Sequence, residues 1–215
     1  MGLEGPDGPV EETRPMLQMA VNFYKNLFGF EPRSGVGLEN SFWNEEDKIT
    51  SEENSWLESG FTEEEIKTVV FDSYADGAPG PDGLPFLFYQ TFWEVVKGDL
   101  LALFKKLESE DLNLARLNYG TVILIPKEPD AKNLKKFRPI SLLNCSFKIF
   151  SKVLNNRLTK ICDKLIDPNQ SAFIKGRFIL ESVVAAHEII HEIARKKDSG
   201  VILKLDYEKA YDRVS

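Results

Sequence analysis

The sequence VILKLDYEKAYDRVS, at positions 201–215, places an acidic residue directly after an apolar run. The apolar side chains from Val201 to Leu205 predict a largely buried β-strand. Asp206 would then lie at the edge of a sheet, near water, where a carboxylate can ligate a hard divalent cation. If a helix follows at 208–214, Tyr211 comes round beside Asp206, which suits a polymerase whose metal-bound nucleotide lies against an aromatic ring. The commoner interpretation is a strand that ends in a helix-capping aspartate.

The composition is that of a globular intracellular protein. The chain has 215 residues, 42% of them hydrophobic, which is enough to bury a core. No apolar run approaches the ~20 residues of a membrane span, and no signal peptide opens the chain. The two cysteines, Cys145 and Cys162, lie in an apolar-periodic stretch. We therefore expect them to be buried thiols and not a disulfide or a metal site.

Charge is divided unevenly along the chain. Residues 1–117 carry 9 Lys and Arg against 23 Asp and Glu, a net charge of −14. Residues 118–215 carry 18 against 11, a net charge of +7. The second half is therefore the candidate for contact with a polyanionic partner, and a solvated basic face is the alternative.

The first 60 residues predict an acidic N-terminal extension or connector. Residues 1–12 are rich in Gly, Pro and Glu and predict a mobile terminus. Apolar residues from Met16 to Phe28 recur at helical spacing and are followed by Gly29, which predicts a helix. The polar residues 30–60 predict a connector that lies against a larger body.

A run of helices is predicted between residues 61 and 107. Thr62 and Glu65 form a capping-box pattern that opens a helix to about Tyr74. The loop at 76–83 holds three Gly and two Pro, which excludes regular structure and predicts a stiff, shaped loop. The apolar periodicity over 86–107 predicts one or two helices, with a break near Gly98.

A basic hairpin is predicted next. A β-rich run at 118–126 ends in proline, and a second short strand is predicted at 137–143. The loop and the start of the second strand carry five cations: Lys127, Lys132, Lys135, Lys136 and Arg138. Lysine offers a point charge and arginine a planar fork for phosphate oxygens, so this density favours phosphate binding.

Two long helices complete the pattern. Asn144 is predicted to cap the N-terminus of the first helix. Its predicted apolar face consists of Phe147, Phe150, Leu154, Leu158, Ile161 and Leu165, with Arg157 away from that face. A loop with Lys175 and Arg177 near Gly176 separates it from a second helix at about 179–196.

The second helix contains a zinc-peptidase pattern, His187-Glu188-Ile-Ile-His191. Histidines at i and i+4 on a helix face one side and can share a zinc ion, so a zinc hydrolase is a remote alternative function. The extended form of the motif fails at Ala194 and Lys197. His187 also shares the apolar face of the helix, which predicts a packed neutral histidine.

Five motifs in order resemble the reverse transcriptase domain of non-LTR (LINE-type) retrotransposons, particularly those of plants. They are APGPDGLP at 78–85, LIPK at 124–127, FRPISL at 137–142, QSAFIKGR at 170–177 and LKLDYEKAYDRV at 203–214. The resemblance covers about residues 61–215. It implies an α+β, mostly helical fold, a partial right-hand polymerase made of the fingers and the first palm strand. The residues before 61 would form a helical N-terminal extension.

The resemblance also implies roles for particular residues. Asp206 would be the first catalytic aspartate, holding Mg²⁺ with the carbonyl of Tyr207, and Tyr211 would be the steric gate that disfavours ribonucleotides. Lys127 and Arg138 would bind the incoming deoxynucleoside triphosphate. The residues implied to contact the RNA template and DNA primer are Lys135, Lys136, Lys175 and Arg177. The chain is expected to be intracellular, and the family resemblance makes the nucleus a candidate compartment.

The sequence ends after the first palm motif of the family. The paired aspartates that complete the metal site in the family are not among these residues, and one carboxylate holds two magnesium ions poorly. We therefore expect that this chain does not polymerise DNA as it stands, and that the strand at 201–206 has exposed edges. A nucleic-acid-binding remnant without chemistry is the alternative function.

Overall fold

The computed structural model describes residues 2–5, 8–29, 48–203 and 205. The helices are α1 (Thr13–Phe28), α2 (Ser51–Leu57), α3 (Glu63–Phe71), α4 (Phe86–Thr91), α5 (Trp93–Glu108), α6 (Leu114–Leu117), α7 (Cys145–Leu165) and α8 (Ile179–Lys196). The strands are β1 (Leu3–Gly5), β2 (Gly8–Val10), β3 (Gly120–Pro126) and β4 (Phe137–Leu143), in two two-stranded sheets. The predicted α+β, mostly helical class is confirmed.

The chain divides into two compact units. One takes its described residues from 1–37, 122–141 and 202–215, and the other from 38–121 and 142–201. In the described part of the chain, no helix is long and apolar enough to cross a membrane.

In the first unit, the N-terminal residues form a small sheet. β1 and β2 pair antiparallel, with Leu3 opposite Val10. The backbone N–H of Glu4 donates to the carbonyl of Lys132 over 2.9 Å. The prediction of a mobile terminus is therefore wrong for the described residues of 1–12. Gly8 makes the pairing possible because its φ of +122° is open only to glycine.

The core of the second unit lies between α3, α4, α5 and α7. Its buried residues are Ile66, Val69, Val70, Phe86, Tyr89, Trp93, Leu100, Phe104, Cys145, Ile149 and Val153.

The capping box at Thr62 and Glu65 is confirmed, and α3 ends at Phe71, before the predicted end. The break between the two following helices falls at Phe92, whose φ and ψ of −104° and 25° leave the helical range. Gly98 lies inside α5, because a mid-helix glycine costs only about 1 kcal/mol and packing of the helix outweighs that cost.

The face of α7 that is buried differs from the predicted face. The buried residues are Cys145, Ile149, Val153, Arg157 and Ile161, a row with a step of four. Of the predicted face, Leu158 and Leu165 are 49% and 42% exposed. The prediction placed Arg157 away from the apolar face, yet its side chain completes the row that packs inward.

Arg157 is 4% exposed and all five of its N–H donors are used. Nε and Nη2 donate to the two carboxylate oxygens of Glu65, over 2.7 and 2.8 Å. The other donors bind backbone carbonyls of Leu57, Ser59 and Gly60. The guanidinium also lies over the ring of Phe61, 4.3 Å from its centre. This one side chain therefore joins α7, α3 and the segment that follows α2.

The end of the described chain is not a strand. Val201, Ile202, Leu203 and Leu205 have no regular structure and are 96%, 69%, 77% and 65% exposed. The prediction of a buried strand is wrong for these residues. A strand needs a neighbour that satisfies its backbone groups, and no strand of the described residues pairs with this segment.

Truncating Arg157 should destabilise the second unit strongly. The Arg157→Ala change leaves the Glu65 carboxylate and three carbonyls without their donors, so we expect the free energy of unfolding to fall by about 3–5 kcal/mol. Urea denaturation followed by circular dichroism measures it. As a control, Arg195→Ala removes an exposed arginine paired with Glu192 and should change the midpoint little. Equal effects from both changes would contradict the role assigned to Arg157.

The ion pair also predicts an acid dependence of stability. The hydrogen bonds from Arg157 lower the pKa of Glu65 from its ordinary 4.5 to about 2. Because the folded pKa is lowered, the stabilisation is complete above pH 4.5 and is lost as the pH falls towards 2. The difference in free energy of unfolding between wild type and Glu65→Gln should shrink over that window by about 1–2 kcal/mol, a figure reduced for the partial exposure of the carboxylate. A difference that is independent of pH in acid titrations would contradict this.

Candidate nucleic-acid interface

The predicted basic hairpin is present, and its loop is ordered. The backbone N–H of Lys127 donates to the carbonyl of Lys136 over 2.8 Å and closes the loop. Ala131, Leu134 and Phe137 in this segment are buried. Asn133 caps a 3-10 helix at Leu134–Lys136 by accepting from the N–H of Lys135. The loop therefore has apolar anchors of its own, although its sequence is mostly polar.

The loop brings the predicted phosphate-binding lysines together. Nζ of Lys127 donates to the carbonyl of Lys135 over 3.2 Å. Nζ of Lys136 donates to the carboxylate of Glu128 and forms an ion pair with it. This hydrogen bond raises the pKa of Lys136. Within the described residues, Lys135 and Arg138 are exposed and form no ion pair. Lys135 and Arg138 therefore carry charge that is available to a phosphate.

The stiff loop at 76–83 lies in the second unit, against the N-terminal end of α7. A Cβ on Gly80 would lie 2.4 Å from the backbone N of Asn144. The prediction that the Asn144 side chain caps α7 is wrong. Oδ1 of Asn144 instead accepts from the N–H of Asp82 over 3.3 Å. Lys148 donates to the carbonyl of Ala78 over 2.8 Å and holds the other side of the loop.

The loop between α7 and α8 is held by Arg177. Its guanidinium donates to carbonyls at the C-terminal end of α7 and just beyond it: those of Asp163, Ile166, Asp167 and Gln170. Its side chain is 15% exposed. Lys175, two residues earlier, is exposed. Of the two predicted template contacts in this loop, Lys175 is therefore open to solvent, while the donors of Arg177 are engaged within the protein.

The histidines of the zinc-type pattern lie on α8. His187 and His191 are exposed, and with Glu188 and Glu192 they line a shallow depression. The prediction that His187 is packed is wrong, because nothing in the described chain covers this face of α8. Among residues 2–5, 8–29, 48–203 and 205, no group of three or more His, Cys, Asp or Glu is arranged to hold a metal ion. The predicted catalytic and gate residues Asp206, Tyr207 and Tyr211 lie outside the described residues.

Residues 125–215 match the family model described as reverse transcriptase (RNA-dependent DNA polymerase). Over these residues the chain is similar to reverse transcriptases. The match begins at the end of β3 and includes the five hairpin cations, α7, the Arg177 loop and α8. The predicted resemblance to non-LTR retrotransposon reverse transcriptases is confirmed, and the likeness to plant elements in particular stays a prediction.

Two relatives place the reverse transcriptase segment among transposon proteins. The chain is 32% identical over 210 residues to the Transposon TX1 uncharacterized 149 kDa protein of Xenopus laevis. It is 31% identical over 152 residues to the retrovirus-related Pol polyprotein from type-1 retrotransposable element R2 of Nasonia vitripennis. The alignments cover 96% and 70% of this chain but only 16% and 14% of the relatives. The chain therefore corresponds to a small part of each.

Alanine substitutions at Gly80 and Gly98 test whether the loop at 76–83 packs against the N-terminal end of α7. Gly80→Ala drives a methyl group into the backbone of Asn144, so we expect a loss of about 1–3 kcal/mol in the free energy of unfolding. Gly98→Ala meets no atom within 4 Å and favours the helix, so it should gain about 0.5–1 kcal/mol. Urea denaturation of both variants measures the two signs. If Gly80→Ala is neutral, the loop is not docked as described.

Proposed function

We propose that this chain is the fingers and the start of the palm of an RNA-directed DNA polymerase from a non-LTR retrotransposon, with residues 1–60 as a helical extension. The observation that carries the proposal is the family match over 125–215, which contains the basic loop and the second strand of the hairpin. The reaction is the transfer of deoxynucleotides from their triphosphates to a DNA primer, directed by an RNA template. Nuclear action is proposed from the family resemblance alone.

In this proposal the hairpin loop binds phosphates. Lys127 and Arg138 contact the triphosphate of the incoming nucleotide, and Lys135 and Lys136 contact the template and primer. The apolar anchors of the loop support this role, because a binding group acts best when its surroundings already hold it in place. Arginine adds a planar fork that can bind two phosphate oxygens at once.

Magnesium would be held by the Asp206 carboxylate and the carbonyl of Tyr207. Both are oxygen donors, the ligands that Mg²⁺ prefers, so the donor set fits the ion. When bound, the ion supplies stabilisation of the charge that develops on the phosphate. Tyr211 supplies an aromatic wall against the sugar.

We further propose that this 215-residue polypeptide by itself binds nucleic acid without extending a primer. The described residues Val201–Leu203 and Leu205 support this, because they are exposed and pair with no described strand, whereas a metal site needs supporting residues that are held in place. Magnesium-dependent incorporation of deoxynucleotides by the purified protein, abolished by Asp206→Asn, would contradict it and would show an active polymerase instead.

The hairpin should supply a measurable part of the affinity for RNA. The triple variant Lys127→Gln, Lys135→Gln, Arg138→Gln removes up to three phosphate contacts. The slope of log affinity against log salt should therefore become shallower by about 2, since each contact to a single strand contributes about 0.7. Fluorescence anisotropy with a labelled single-stranded RNA, repeated at several salt concentrations, measures the slope.

A control with the same change of net charge separates local contact from general electrostatics. Lys67→Gln, Lys105→Gln, Lys106→Gln neutralises three exposed lysines on α3 and α5, within the acidic half of the chain. This variant should keep the wild-type slope. Equal slopes for the two triple variants would contradict the proposal that the hairpin contacts nucleic acid.

A further inference from the structure

Phe173 has a backbone conformation that is unusual for a bulky residue. Its φ is +64°, in the left-handed region. Its side chain is fully exposed, at 105% of the reference area. The ring therefore gains nothing from packing in the described chain, and the backbone is strained to place it there. Strain of this kind persists only where the surroundings enforce it, and it is concentrated at functional positions.

The surroundings of Phe173 do enforce the conformation. On one side, the buried Ser171 is held by a 2.7 Å hydrogen bond between its hydroxyl and that of Ser182 on α8. On the other side, the chain turns at Ile174–Arg177, where the N–H of Arg177 donates to the carbonyl of Ile174. Gly176 takes the positive φ of +86° that such a turn requires.

Arg177 then ties the whole loop to the end of α7. Its hydrogen bonds to the carbonyls of Ile166, Asp167 and Gln170 measure 3.0, 2.6 and 2.9 Å. The two neighbours of Phe173, Ala172 and Ile174, are partly buried. These contacts hold the loop in place, and the ring of Phe173 projects from it into solvent.

The chemistry around the ring points to nucleic acid. Lys175, two residues away, is exposed, and it forms no ion pair within the described residues. An exposed aromatic ring beside an available cation is the combination with which proteins bind single strands, because the ring stacks on a base and the cation meets the phosphate. Stacking tolerates any base, since every base offers a flat face.

We propose that Phe173 is a stacking platform for an unpaired base of the RNA template, with Lys175 on the adjoining phosphate. The proposal rests on the proposed function, because the loop lies within the reverse transcriptase segment at 125–215. In this proposal Phe173 contacts the RNA directly, and Arg177 positions the loop.

Binding of the 215-residue chain to a labelled single-stranded RNA of about 20 nucleotides tests the proposal. Phe173→Ala should weaken binding by about 5- to 100-fold, while Phe173→Trp keeps the ring and should bind as wild type. Phe173→Leu keeps the apolar character without the ring and should resemble the alanine variant. On an abasic oligonucleotide of equal length and charge, wild type and Phe173→Ala should bind equally. Phe92→Ala, a change at a half-exposed ring on another segment, is the control and should bind as wild type.

The salt dependence separates the two residues. Phe173→Ala should leave the salt slope unchanged, whereas Lys175→Gln should make it shallower by about 0.7.

The backbone strain at Phe173 gives a second test. Phe173→Asn should raise the melting temperature by roughly 2–4 °C, because asparagine tolerates positive φ. A melting temperature that falls instead would show that the ring packs on protein, and would overturn the proposal.

The outcomes also distinguish this proposal from the function on which it rests. If wild type shows no salt-dependent binding to RNA, the proposed function fails. If wild type binds, the hairpin triple variant binds weakly and Phe173→Ala binds as wild type, only the role of Phe173 is overturned.

Discussion

The second unit depends on the burial of one positive charge. A guanidinium at 4% exposure would cost several kcal/mol if it were unpaired, so Arg157 must find a partner for each donor. It does so with the carboxylate of Glu65 and the backbone carbonyls of Leu57, Ser59 and Gly60, which lie just before α3. These partners lie close together at residues 57–65, but they are 92 to 100 residues away from Arg157 in the sequence. The fold of α7 against α3 and the course of the chain between α2 and α3 are therefore set together.

Helix α7 in turn positions two of the loops that belong to the reverse transcriptase motifs. At its N-terminal end, Asn144 and Lys148 hold the Gly80 loop. At its C-terminal end, the exposed carbonyls of the last turn are satisfied by Arg177, a cation at the negative end of the helix dipole. One helix that is locked in place by a buried ion pair thus presents ordered loops at both of its ends.

The basic half of the chain contains cations of two kinds. Arg157 and Arg177 are engaged within the protein and support its structure. Lys135, Arg138 and Lys175 are exposed and available to an anionic partner. Net charge cannot separate the two kinds, because engagement depends on carbonyls and carboxylates supplied by other segments. The one signal for Arg157 was its place in the row Cys145, Ile149, Val153 and Ile161, where a step of four marks a helix face.

The sequence by itself determined the elements whose signals are local. The capping box at Thr62, the hairpin strands and the bounds of α8 follow from residues that are close together in the chain. The similarity to reverse transcriptases follows from short motifs, each of which is local. Only the tertiary structure decided which face of α7 is buried, that α5 continues through Gly98, and that the apolar segment at 201–205 is exposed in its described residues. Each of these depends on partners that are distant in sequence: a buried charge needs its counter-ion, a helix face needs an opposing helix, and a strand needs a neighbour. Local pattern shows what a segment can form, and the free energy of its contacts selects what it does form.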